Sequence, residues 1–242
     1  MQISPQELGA AICEISVFII LLIVGIMLIE RYQKRKINNI LILAICLLIF
    51  SIAPLMQTLD IFYFTDFFAP KEVALGYNLA FSMSAYANIL LLLFYLRVYV
   101  EESTKVNIIV VIYAIFNILN TILLINTSIQ LMINNITIDR TLFMVIHLAL
   151  SMALYIYMVI QSTKSANKDV TLKVRRGFQL ITGFGICLIL TFAFFLMDFV
   201  WIILFVSPYS IWLYIGWVCG ATGAILAYLG YIMPDWLKRR WE

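Results

Sequence analysis

The chain has 242 residues, of which 64% are hydrophobic and 12% are charged, and its mean hydropathy is +1.03. A typical soluble domain has roughly 45–50% apolar and about 25% charged residues, so the composition excludes an ordinary soluble domain. The net charge of +3 is small, and in a membrane protein the distribution of charges is more informative than their sum. No polar stretch approaches the ~50 residues of a small domain. We therefore expect one membrane domain and no soluble domain.

Seven apolar runs follow one another along the chain. Each has about 20 or more residues, enough to cross a hydrocarbon core of about 30 Å at 1.5 Å per residue. The sequence therefore predicts an all-α membrane protein, a seven-transmembrane-helix bundle that occupies residues 1–242. The predicted helices cover about 8–29, 37–59, 73–100, 106–125, 141–161, 177–206 and 209–233.

The basic residues predict the orientation of these helices. Of the 16 Lys and Arg residues, 14 follow helices 1, 3, 5 or 7, and only Lys71 and Arg140 lie on the other side. Basic loops remain in the cytoplasm, so we expect a multi-pass protein of the cell membrane with its N-terminus outside and its C-terminus cytoplasmic. The basic loop from Ser162 to Arg176 either docks a cytoplasmic protein or sets the topology and contacts anionic lipid. We expect no nucleic-acid partner.

Charged or titratable side chains are rare inside the predicted spans. Glu14 lies in helix 1, His147 (the only histidine) in helix 5 and Asp198 in helix 6, while Arg140 begins helix 5. A charge at the bilayer centre costs about 2.5–3.5 kcal/mol on insertion scales, so these groups should face the bundle interior or water. All four lie toward the predicted outer side. They form either an outward-facing pocket or ion-linked site, or structural bonds such as Asp198 with His147 or Arg140.

Helix 3 carries a polar stripe. Asn78, Ser82 and Tyr86 recur every four residues, and Ser84 and Asn88 form a neighbouring strip. Residues four apart share a helix face, so we expect these side chains to point inward. They either hydrogen-bond between helices or line a pocket, and Asn78 and Tyr86 join the candidate pocket residues on this basis.

Helix 7 carries small residues at Gly216, Gly220, Gly223 and Ala227. Small residues permit close helix approach, here within the bundle or between subunits. No lysine occurs between residues 211 and 233, so helix 7 has no lysine of the kind that binds retinal in microbial rhodopsins. We expect no cofactor and no metal.

Two Asn-x-Ser/Thr triplets begin at Asn126 and Asn135, in the predicted outer loop over residues 126–140. An outer position permits glycosylation if the host cell modifies such triplets. The same triplets also arise by chance in a loop rich in Asn, Ile and Thr.

The segment AYLGYIMPDWLKRR, from Ala227 to Arg240, resembles the closing segment of many uncharacterised archaeal seven-helix proteins. It is also similar to the end of the seven-helix sensor regions found at the N-terminus of some histidine kinases. This resemblance covers about fourteen residues and the topology. It implies a sensory role, with output through a separate partner because no kinase domain follows in this sequence.

We carry three hypotheses about function from the sequence. The first is a receptor-like sensory protein with an outward-facing pocket between helices 1, 3, 5, 6 and 7. The second is a small solute or proton-coupled transporter that uses Asp198 or Glu14, with weak support from the similarity between segments 44–56 and 185–197. The third is a lipid-modifying enzyme. The common hydrolase, metalloprotease and phosphate-loop motifs are missing from the sequence, so we expect a protein that is not an enzyme.

Overall fold

The computed structural model describes residues 4–62, 75–99, 104–134, 136, 138–168, 171–205, 210–234, 237 and 239. Seven α-helices account for almost all of them, and each is long and apolar enough to cross a membrane. The predicted all-α architecture with seven candidate spans is therefore confirmed for this part of the chain. The helices are α1 Pro5–Arg35, α2 Asn38–Leu59, α3 Leu75–Tyr99, α4 Thr104–Asn134, α5 Thr141–Ala166, α6 Leu172–Phe205 and α7 Ile211–Ile232.

Several helices are longer than the apolar runs that predicted them. At the start of α1, Ser4 and Glu7 form a capping box, in which each side chain accepts a hydrogen bond from the other residue's backbone N–H. Pro5 then occupies the first helical turn, where its missing N–H costs nothing. At the other end Lys36 takes a left-handed conformation and donates to the carbonyl of Tyr32. Such caps extend a helix beyond the hydrocarbon, because they satisfy its terminal backbone groups.

Six helices form a closed ring, and the fourth lies outside it. α1 packs against α2 and α7, α2 against α3, α5 against α6, and α6 against α7, while α3 and α5 contact each other directly. α4 bridges α3 and α5 on the outside. Its outer face is apolar and exposed, with Ile112, Ile115, Leu119 and Ile122 each at least half exposed. A continuous apolar surface of this kind is suited to lipid contact.

Glycines bring α6 and α7 together. A methyl group added at Gly230 would lie 3.0 Å from the carbonyl oxygen of Gly177, and one added at Gly223 would lie 3.0 Å from the Cys187 side chain. A methyl group at Gly216 would overlap the Phe195 ring at 2.7 Å. The small residues of helix 7 therefore act within the bundle, which was one of the two alternatives left open by the sequence.

Candidate ligand cavity

An apolar cavity lies inside the ring, between α1, α2, α3, α6 and α7. The centre of a water-sized sphere can move through about 60 Å³ of this space. Since one water needs about 10–15 Å³ by this measure, the cavity has room for roughly four to six waters, or for a small organic molecule. The pocket predicted from sequence lay between helices 1, 3, 5, 6 and 7. The observed cavity is lined by α2 where the prediction placed helix 5.

Most of the cavity wall is aliphatic or aromatic. The polar residues in the wall are Gln57, Ser84, Thr191 and the indole of Trp217. The hydroxyl of Ser84 donates to the carbonyl of Phe81 at 2.8 Å, and Thr191 makes the corresponding bond within α6. These two hydroxyls are therefore engaged within their own helices. The side-chain amide of Gln57 remains as the polar group of the wall that a ligand could engage.

Glu14 lies directly behind one end of the cavity. Its side chain is only 1% exposed, and its carboxylate accepts a hydrogen bond of 3.1 Å from the hydroxyl of Thr58. The indole N–H of Trp217 also interacts with this carboxylate, but it falls short of hydrogen-bond geometry. Both neighbours are uncharged, and within the described part of the chain no cation contacts Glu14.

His147 lies on the α5 side of the same cavity and is also 1% exposed. Its Nε2 is 2.9 Å from Ser84 Oγ. Because the single hydroxyl proton of Ser84 is donated to Phe81, we assign the proton of the second bond to His147 Nε2. The imidazole thus reaches the wall only through Ser84, and it is one residue removed from the cavity.

A chain of aromatic rings connects the two buried titratable groups. The ring of His147 lies 5.8 Å from Phe192, Phe192 lies 6.2 Å from Phe195, and Phe195 lies 4.8 Å from Trp217. Glu14 is the next group beyond Trp217. The structure therefore places Glu14 and His147 around one cavity, but holds them apart by a row of aromatic side chains.

Polar pairs join α3 to α5 at a constant sequence offset. Ser84 contacts His147, Asn88 donates to Ser151 at 2.9 Å, and Tyr95 donates to the carbonyl of Met158 at 2.6 Å. Each pair is separated by 63 residues. We call these three pairs the α3–α5 ladder. The constant offset shows that the two helices run in the same direction with a fixed register.

Asp198 has different partners from those proposed on sequence. Its Oδ1 accepts from the backbone N–H of Ser210 at 2.9 Å and from the Ser210 hydroxyl at 2.6 Å. Ser210 is the N-cap of α7, and its hydroxyl oxygen also accepts from the N–H of Trp212. The carboxylate therefore anchors the beginning of α7 to the end of α6, and this is a structural role.

Arg140 lies at the start of α5, with its guanidinium carbon 5.9 Å from the centre of the Tyr77 ring. Its Nη1 is buried without a hydrogen-bond partner, and its charge interacts with that of Asp60. The neighbouring Asp139 is fully exposed. Hydrogen bonding from the backbone N–H of Thr141 at 2.9 Å holds the pKa of Asp139 below its usual value. Arg140 is not part of the cavity wall.

The polar stripe of helix 3 is buried except at Tyr86 and forms bonds between helices. The side-chain amide of Asn78 lies within hydrogen-bond distance of three oxygens of α4, and the nearest is the Ser128 hydroxyl at 2.7 Å. Ser84 and Asn88 contact α5 instead. Ser82 bonds only within its own helix, to the carbonyl of Asn78. Tyr86 is half-buried on α3, outside the cavity wall. Asn78 and Tyr86 are thus separate from the cavity.

The candidate glycosylation site at Asn126 lies inside α4, where the sequence had predicted a loop. Asn126 is half-buried and accepts a bond from the Gln130 side chain. The third residue of its triplet, Ser128, is 2% exposed and receives the bond from Asn78. A glycosylation acceptor belongs in an accessible surface loop, so the loop prediction for Asn126 is corrected. Asn135 lies outside the described residues.

Sequence reasoning missed Gln57, Thr58 and Ser210. Each is an ordinary polar residue near a helix end, and its importance depends on a partner in another segment. No family model, curated protein or solved structure matches the chain.

Proposed function

We propose that this chain is a receptor-like, sensory membrane protein that binds a small apolar ligand inside its helix ring. The observation that carries the proposal is the cavity between α1, α2, α3, α6 and α7, which has an apolar wall and one polar end. Concave sites of this composition are typical of small-molecule binding. The charge distribution supports the orientation proposed from sequence, with the N-terminus outside and residues 162–176 in the cytoplasm.

α6 provides a path from the cavity to the basic loop. Five residues of the cavity wall belong to α6, from Phe184 to Phe195. The same helix begins at Leu172, inside the predicted basic loop of residues 162–176, both ends of which are helical in the structure. A ligand that changes the position of α6 therefore also changes the loop, where we propose that a separate cytoplasmic partner reads the signal. The similarity of segment 227–240 to histidine-kinase sensor regions supports the same direction of output.

The test couples the cavity to the loop. A photo-crosslinking amino acid at Lys168 should capture a partner in membranes of the native host, and the same amino acid at Ile136, on the predicted outer side, should not. Ala224→Leu, which fills the cavity from α7, should change the yield at Lys168. A yield that is unaffected by Ala224→Leu, or an absence of capture under every condition, would argue against the sensor.

A proton-coupled carrier is the second candidate, and one observation favours it. The buried carboxylate of Glu14 has only uncharged contacts of hydrogen-bonding type, from Thr58 and Trp217. Such a group is a candidate for taking up a proton from the outer side. Asp198 is less suited to this role because Ser210 occupies its Oδ1 twice. In proteoliposomes that contain a pH-sensitive dye, a carrier would show proton-linked flux that Glu14→Gln abolishes and Asp198→Asn retains.

A further inference from the structure

We propose that the cavity binds a short-chain aliphatic molecule with a neutral polar head group. The head group lies against the amide of Gln57, and the chain extends toward Ala224. This inference rests on the proposed function, because it names the ligand class of the same cavity. It adds a shape, a polarity and a direction of binding that the proposed function does not contain.

The shape of the cavity favours a chain over a ring system. Wall residues on α7 extend from Trp217 to Ala224, and those on α2 extend from Leu47 to Gln57. At 1.5 Å per residue, these stretches are roughly 10–15 Å long. The centre of a water-sized sphere reaches only about 60 Å³ along this length, so the cavity is narrow. An unbranched alkyl chain fits a narrow space, whereas a fused ring would require several side chains to move.

The polar end of the cavity lies beside Glu14. Gln57 precedes Thr58, whose hydroxyl binds Glu14, and Trp217 is the other neighbour of that carboxylate. In the described part of the chain, the side-chain amide of Gln57 has no hydrogen-bond partner. The indole N–H of Trp217 is closed off from the cavity and faces Glu14. A polar atom of a ligand at this end therefore pairs with the amide of Gln57.

The other end of the cavity offers no polar side chain. Toward the centre of the bundle the wall consists of residues such as Leu21, Leu47, Phe184 and Ala224. The side chains of these four residues are between 1% and 6% exposed. A second polar group on the ligand would lose its hydration here without gaining a partner. The head group is therefore single and terminal.

The head group is neutral because the wall itself carries no charge. Glu14 is not part of the wall, and its carboxylate already accepts from Thr58 behind the Trp217 indole. A cation in the cavity would be separated from Glu14 by that ring. An anion would have only the amide of Gln57 to stabilise it. An alcohol or a carbonyl avoids both penalties.

The experiment compares three unbranched probes with the same number of non-hydrogen atoms: n-heptane, 1-hexanol and n-hexylammonium. Binding is measured as the excess of each probe in proteoliposomes over protein-free liposomes of the same lipid. We expect 1-hexanol to bind about tenfold more tightly than n-heptane, since a hydrogen bond to the amide of Gln57 is worth on the order of tenfold in affinity. Gln57→Leu should remove this preference, so that 1-hexanol and n-heptane bind with equal affinity.

A second set of variants tests the cavity itself. Ala224→Leu should reduce the binding of both n-heptane and 1-hexanol, whereas Ala149→Leu, on an exposed face of α5, should affect neither. If Ala224→Leu does not fold, Ala53→Val on α2 makes a smaller addition to the same wall. Equal binding to the wild type and to folded cavity-filled variants would overturn both this inference and the proposed function.

Two other outcomes overturn the inference alone. The first is equal binding of n-heptane and 1-hexanol in the wild type, with both lost in Ala224→Leu. That result would establish the cavity and refute the polar end. The second is tighter binding of n-hexylammonium than of 1-hexanol, abolished by Glu14→Gln. That result would replace the neutral head group by a cation and would favour the carrier.

Discussion

Asn88 joins α3 to α5 through two buried hydrogen bonds, and Asn88→Leu tests whether these bonds stabilise the ring. The amide donates to Ser151 at 2.9 Å and accepts from the Tyr155 hydroxyl at 2.8 Å. Leu has the same branched outline as Asn and is larger, so the substitution removes both bonds and leaves no cavity. Such bonds contribute about 0.6 kcal/mol each on average and at most about 1.7. With the Tyr155 hydroxyl left unpaired, we expect the free energy of unfolding to fall by about 1–3 kcal/mol.

The matched control is Asn117→Leu on α4. Asn117 is 1% exposed, but its amide donates only to the carbonyl of Tyr113 in its own helix, and its Oδ1 is buried without a partner. Replacing a poorly satisfied buried amide by an apolar group is nearly neutral or stabilising. Reversible unfolding in mixed micelles, followed by circular dichroism, measures both variants. Equal destabilisation by Asn88→Leu and Asn117→Leu would refute the assignment of stability to the α3–α5 ladder.

A double-mutant cycle isolates the contact between Asn88 and Tyr155. Tyr155→Phe removes the hydroxyl that donates to Asn88 and keeps the ring that packs on Phe192 at 5.3 Å. The coupling between Asn88→Leu and Tyr155→Phe should be about 0.6–1.7 kcal/mol. A coupling of zero would show that this bond exists without contributing to stability.

Three further predictions concern the helix ends and the α6–α7 contact. Gly230→Leu should lower the free energy of unfolding by about 1–3 kcal/mol or more through overpacking against α6, whereas Val218→Leu, 58% exposed on the same helix, should have little effect in the same micelle assay. Asp198→Ala should accelerate hydrogen exchange in the first turn of α7 roughly tenfold. Ser210→Ala should have the same effect, and combining the two substitutions should cause no further acceleration. Because the pKa of Asp139 is lowered in the folded protein, its contribution is present above its unfolded pKa of about 3.9 and is lost as pH falls through the folded value. Asp139→Asn should therefore flatten the acid dependence of amide protection at the start of α5.

The sequence predicted the number and approximate positions of the helices because membrane spans have a physical signature of length and apolarity. Their ends were less predictable, since helices continue into polar segments that are capped locally. The start of α1 was an exception in principle. The spacing of Ser4 and Glu7 is the sequence signature of a capping box, and the N-terminal boundary could have been placed from it.

The partners of the buried polar residues could not be predicted in the same way. Glu14 bonds to Thr58 across 44 residues, and Asp198 bonds to Ser210 across 12 residues. Such pairs depend on the rotation and depth of each helix, which single-helix spacing does not determine. The α3–α5 ladder did leave a signal. Ser84 and Asn88 on one helix and His147 and Ser151 on another share the same spacing of four, as expected for parallel helices in register.

The two kinds of interhelical contact divide the ring into parts that differ in how easily they move. α3 and α5 are joined by hydrogen bonds, which are directional and costly to leave unpaired. α6 and α7 are joined by glycine contacts, and we expect them to move together because their backbones are too close to slide apart without losing packing on both sides. Between these pairs lies the cavity, whose wall has few directional bonds.

Under the proposed function, we expect a ligand in the cavity to act mainly on the boundary between the α6–α7 pair and the rest of the ring. Near the end of α6 that begins at Leu172, Thr182 donates to Ser162 of α5 at 2.9 Å. This bond provides a fixed point about which the pair can tilt when the cavity fills. Thr182→Val removes that fixed point and leaves the cavity wall intact. We expect Thr182→Val to preserve the binding of 1-hexanol and to weaken the effect of Ala224→Leu on crosslinking at Lys168. A ligand that acted through α5 would not separate binding from crosslinking in this way.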